Sequence, residues 1–267
     1  MDYSADVKRI EKRRRIVFII TCVVAVALVL YNTGVHHLIL GDALSGAPHH
    51  RAPFWQFLIN FIVVYFFEFL AIVVTVTAPM QQSLTKECDP EKYLALGLKF
   101  AGKKNANQVY TTAYSFMGDF KKAIYHAELL TQNKRTAANG AFNKARCEFF
   151  LGEFDAMKKS IQQHDYLVAT SKMNKKNKIA AEKIRTVLEL MTALSEIDRE
   201  KIETLRHEIS VWGEGKAIEC FIYYMKGLAA YKLEDREECL YRFMYVKENG
   251  PKTFFGRSAA EYLSKLN

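Results

Sequence analysis

The chain has 267 residues and a formal net charge of +9; half of its residues are hydrophobic and a quarter are charged. That composition suits one or two folded domains. Its five cysteines show no metal-ligand spacing, which argues against a structural metal site.

Residues 1–15 form a basic N-terminus, with Lys8, Arg9, Lys12, Arg13, Arg14 and Arg15 crowded at its end. Residues 16–35 follow without a charge, and residues 54–79 carry only Glu68. A helix rising about 1.5 Å per residue needs about 20 apolar residues to cross a bilayer, so both stretches are expected to be transmembrane helices. Residues 36–53 then form an extracytoplasmic loop whose only basic side chain, apart from histidine, is Arg51. By the positive-inside tendency both termini face the cytoplasm, in an integral membrane protein of a bacterial plasma membrane. The first apolar run also fits a cleaved signal peptide, although no small-x-small cleavage site follows it closely. Glu68 is costly at mid-membrane, roughly 2.5–3.5 kcal/mol, and marks an intramembrane polar site suited to assembly as a homo- or hetero-oligomer. The paired histidines His36-His37 and His49-His50 read as an exposed loop.

Residues 80–267 read as an all-α cytoplasmic domain. Apolar residues recur at three and four, as in Ile184, Val187, Leu188, Met191 and Leu194, and no proline falls between Glu91 and Gly250. Helices are predicted near 90–101, 105–117, 119–132, 136–151, 153–164, 174–195, 198–210, 214–232, 235–247 and 252–265. Asp89-Pro90 is a start signal and Asn249-Gly250-Pro251 a stop. In a reducing compartment the thiols stay unpaired.

Two stretches of this domain match at a spacing of 34. "AYSFMGDFKKAI" (113–124) is answered by "CEFFLGEFDAMKKSI" (147–161), with Gly118 facing Gly152 and Phe120 facing Phe154. Tyr114 and Ala123 complete the first copy, and Ala145 the second; Met157 departs from the pattern. A weaker copy near 220–253 holds Gly227, Cys239, Phe243 and Pro251, with Glu234 where a turn glycine is expected. The pattern resembles the tetratricopeptide repeat, whose helix pairs stack into a solenoid. The resemblance implies a TPR-like α-solenoid, capped by its last helix, with a concave groove that binds protein segments.

Groove candidates on that reading are Asn105, Gln108, Thr112, Asn139, Phe142, Arg146 and Phe149. The family's carboxylate clamp maps to Gln108, Thr112 and Asn143, of which only Asn143 fits. A basic run comprising Lys172, Lys175, Lys176, Lys178, Lys183 and Arg185 faces anionic lipid at the inner leaflet. No recognised module accompanies it, so nucleic acid is not an expected partner. No nucleophile, phosphate loop or metal motif stands out, so neither an enzyme nor a cofactor is expected. The sequence thus predicts a membrane-anchored scaffold or adaptor that recruits a protein partner. The alternative is an accessory subunit of a channel, transporter or secretion complex, with the hairpin and Glu68 as the working part.

Overall fold

The computed structural model describes residues 3–32, 61–63, 65, 66, 69, 77–100, 102–172 and 174–266. The chain divides into two units, Met1–Pro79 and Met80–Asn267. In the first unit α1 (Ser4–Asn32) carries the basic run and continues into apolar residues.

The membrane expectation is corrected here. Among the described residues no helix is long and apolar enough to cross a membrane. The first expected span, 16–35, falls partly within α1, where the apolar side chains that are described run from Ile16 to Ala27. Within α1 as described, residues 16–32 make about 26 Å of helix, against about 30 Å of hydrocarbon. Most of the second expected span lies outside the described residues, as do Glu68 and the four loop histidines. The hairpin, the plasma-membrane location, the lipid partner and assembly through the spans rested on those segments and are withdrawn with them. So is the reading in which the hairpin is the working part.

The second unit is helical throughout its described elements, as its periodicity predicts. After α2 (Ala78–Thr85) come α3 (Pro90–Phe100), α4 (Gly102–Met117), α5 (Phe120–Thr131), α6 (Ala137–Leu151) and α7 (Phe154–Thr170). The second half holds α8 (Lys175–Glu196), α9 (Arg199–Glu208), α10 (Lys216–Leu233), α11 (Arg236–Asn249) and α12 (Phe254–Leu266). The α3 start is capped as expected: Lys92 N–H donates to Asp89 Oδ1 at 3.0 Å.

The turn glycines do what their spacing suggests. Gly118 and Gly152 have φ of +88° and +76°. Each closes a helix C-terminus, where Asp119 N–H donates to Tyr114 O and Glu153 N–H to Glu148 O. The same six-to-one bond recurs at Asp198 to Ala193 and at Asp235 to Ala230. There the left-handed residues are Ile197 (φ +56°) and Glu234 (φ +66°). The turn between α8 and α9 has no glycine, so the segment 172–219 gives no repeat signal in sequence although its turn is of the same kind.

Consecutive helices pack on one another from α3 to α7 and from α8 to α12, and α8 also packs on α6 and α7. Helix α10 is buried on nearly every side, through Ala217, Cys220, Phe221, Ile222, Tyr224, Met225, Gly227, Ala229 and Ala230. The last helix departs from its expected place as an end cap. It packs back on α4, with Phe255 edge-on to Phe116 at 5.7 Å and Arg257 Nη2 donating to Met117 O at 2.7 Å. Lys252 pairs with the buried Asp89. The inner surface of the early helices is therefore filled by this chain's own α10 and α12.

Candidate functional site: a buried arginine beneath a tryptophan segment

Helices α4 and α6 present polar residues to each other where the sequence predicts a groove. Arg146 on α6 is 3% exposed. Its Nη2 donates to Ser115 Oγ and, at 2.9 Å, to Asn143 Oδ1. Asn143 Nδ2 donates in turn to Asn139 O at 2.8 Å and to Asn139 Oδ1 at 2.9 Å, and Ser115 Oγ donates to Thr112 O at 2.9 Å. Arg146 Nε and the buried Thr111 Oγ1 have no hydrogen-bond partner among the described residues.

The guanidinium forms no ion pair among the described residues. Three rings surround it instead: Phe116 at 5.2 Å, Phe142 at 5.6 Å and Phe221 at 5.3 Å. Ring faces attract a desolvated cation by about 2 kcal/mol each at best, which offsets part of the several kcal/mol that burying an ion costs. Burial lowers the Arg146 pKa and pushes the neighbouring Cys147 thiol up to about 12.

A non-helical segment, residues 209–215, covers the phenylalanines. The Trp212 ring stands edge-on to Phe142 at 5.4 Å and to Phe221 at 5.7 Å. Lys183 Nζ donates to Val211 O at 2.8 Å and fixes the segment from α8. Gly215, at φ +115°, closes it onto α10; a Cβ there would come within 2.7 Å of Thr85. Beside Phe142 the buried His164 ring lies at 6.4 Å, with Nδ1 3.3 Å from Asp165 Oδ1. His164 borders a cleft of about 510 Å³ between α7 and α8, rimmed by Lys178, Glu182 and Arg185.

The predicted groove residues separate into two groups. Asn105, Gln108 and Asn139 are exposed and Thr112 is half-buried. Phe142 and Arg146 are buried under this chain's own segments, so they do not line an open groove. Phe149 is half-buried and packs on Phe150 (5.1 Å) and Phe154 (6.2 Å), away from the guanidinium's three rings. In the basic run, Lys172, Lys175, Lys176 and Lys178 are exposed. Lys183 is turned to Val211, and Arg185 pairs with Glu189 at 3.0 Å.

Sequence reasoning missed Trp212, Ser115, Thr111, Phe116 and Phe221. One signal was present: a tryptophan in the short non-periodic stretch "VWGEG", followed by two glycines, is an apolar ring in a loop that must pack somewhere. No family model, no curated protein and no solved structure matches this chain.

Proposed function

We propose that the helical domain is a tetratricopeptide-like scaffold that recruits a protein partner and performs no chemistry of its own. The observation that carries this reading is the polar seam from Asn139 through Asn143 and Ser115 to Arg146. Its guanidinium is buried without a carboxylate among the described residues. A fold optimised for stability alone would place an apolar side chain there, because an unpaired buried charge is unfavourable. The repeated turn geometry at Gly118, Gly152, Ile197 and Glu234 supports the likeness to helix-pair repeats.

The partner lies across the exposed edge of the seam, at Asn105, Gln108 and Asn139. Capture from an extract of the source cells with the full chain tests this. A triple variant, Asn105→Asp, Gln108→Glu and Asn139→Asp, changes the charge of the edge, and aspartate at 139 keeps an oxygen that accepts from Asn143 Nδ2. One partner retained by the wild type and lost by the variant is the expected result. An unchanged set of captured proteins overturns the assignment.

A further inference from the structure

We propose that the slot between Phe142 and Phe221 is a peptide-binding site now filled by this chain's own Trp212. Residues 209–215 are its internal occupant. The external ligand is an extended, acidic protein segment carrying a large aromatic ring. This rests on the scaffold reading and specifies the ligand.

The segment is weakly held except at its ends. Ile209 is buried, and its N–H donates to Leu205 O at 3.0 Å. Gly215 O accepts from Glu219 N–H at 3.2 Å. Between them, Ser210 to Glu214 make no backbone–backbone hydrogen bond among the described residues. What holds the middle is two partly buried side chains packed on the core, Val211 and Trp212, and one lysine donor, Lys183 to Val211 O. A stretch with so few internal bonds opens more easily than the helices beside it.

The slot, in contrast, is supported from behind. Phe142 and Phe221 are both buried, and the Arg146 guanidinium lies over each ring. Arg146 is itself fixed by Ser115 and Asn143. Departure of Trp212 therefore leaves two fixed aromatic walls that accept another ring edge-on.

Charge sets the rest of the ligand. Opening the segment frees the Lys183 ammonium. Lys175, Lys176 and Lys178 stand exposed on the same helix, and the chain carries a net +9. A segment with a carboxylate next to its aromatic residue satisfies this helix better than the neutral carbonyl of Val211 does. The occupant already pairs an aromatic with an acid, as Trp212-Gly213-Glu214. Backbone capture of an extended segment combined with a ring pocket is an established mode of peptide recognition.

The test uses the segment against the protein. A fluorescein-labelled peptide with the sequence of residues 208–216, EISVWGEGK, is titrated into full-length wild type and Trp212→Ala, each checked for helicity by circular dichroism. Trp212→Ala is expected to bind at least about tenfold more tightly, because an internal occupant reduces apparent affinity by the fraction of open slot. Adding Phe142→Ala to Trp212→Ala should abolish the gain, and adding Lys183→Met to Trp212→Ala should reduce it by removing the ammonium that meets the ligand carboxylate. Equal or undetectable binding to wild type and folded Trp212→Ala overturns the proposal. So does failure of Trp212→Ala to fold, since a displaceable segment cannot be required for the fold. The two readings fail differently. Peptide binding without any captured cellular partner leaves the slot and removes the scaffold role. A captured partner indifferent to Trp212→Ala leaves the role and removes the slot.

Discussion

Gly227→Ala probes how closely α10 and α11 approach. An added Cβ at Gly227 would stand 2.7 Å from Phe243 Cε1 and 2.8 Å from its Cδ1, where carbon atoms prefer about 3.5–4.0 Å. The Phe243 ring is fully buried, stacked on Tyr262 at 4.8 Å and packed on Tyr224 at 5.6 Å. It has no room to withdraw, so the overpacking cost falls near the upper end of the usual range, about 3 kcal/mol. Alanine returns about 1 kcal/mol of helix propensity over glycine. The net expectation is a loss of about 2 kcal/mol, or a fall in Tm of about 4–8 °C for a domain of this size. Thermal and urea unfolding of the full chain, followed by circular dichroism, measure it. Adding Phe243→Leu removes the ring atoms that collide, so the double variant should lose less than the sum of the two single losses. A Gly227→Ala protein as stable as the wild type would refute the reasoning, because the gap between the helices would then hold a methyl group.

Ile197→Gly and Glu234→Gly should each stabilise the protein by about 1 kcal/mol, by relieving left-handed strain at residues that carry a Cβ. Gly152→Ala should cost about the same amount, and Gly118→Ala more, because its Cβ would also meet Phe254 at 2.8 Å; urea midpoints give all four. Burial lowers the pKa of His164, outweighing the opposing effect of Asp165, and it also lowers that of His126. The unfolded chain therefore binds protons more readily, so stability that is complete above the ordinary imidazole pKa of about 6.5 is lost as pH falls through it. His164→Gln should lose less stability than wild type between about pH 7.5 and 5.5; equal losses would contradict this. Native protein should react with iodoacetamide at the exposed Cys22 alone and at all five cysteines when denatured, as mass spectrometry would show.

Local signals in the sequence were informative. The apolar period placed the helices from α3 to α12, and Asp89-Pro90 and Gly250-Pro251 marked where a run begins and ends. Gly118 and Gly152 announced left-handed helix ends because few other residues take that conformation without strain. Ile197 and Glu234 hold the same conformation and gave no such notice, since neither residue type marks it; the six-to-one bonds from Asp198 and Asp235 close the turns there. Among the described residues no helix is long and apolar enough to cross a membrane, and most of the apolar run at 54–79 lies outside them.

The site was half legible. Asn139, Asn143, Phe142 and Arg146 fall on one face of α6 at helical spacing, which the sequence displays. Their surroundings come from much later in the chain. Phe221 closes on Arg146, Trp212 covers Phe142, and Phe255 reaches Phe116 on α4. Periodicity states which face of a helix is apolar, not which distant helix will cover it. The sequence by itself determined the helices, the caps marked by Asp89-Pro90, Gly118 and Gly152, and the α6 side of the polar seam. Only the tertiary structure decided that the seam would be closed by the chain's own aromatic residues. Covering it depends on long-range burial of Trp212, Phe221 and Phe255, and no local pattern encodes that.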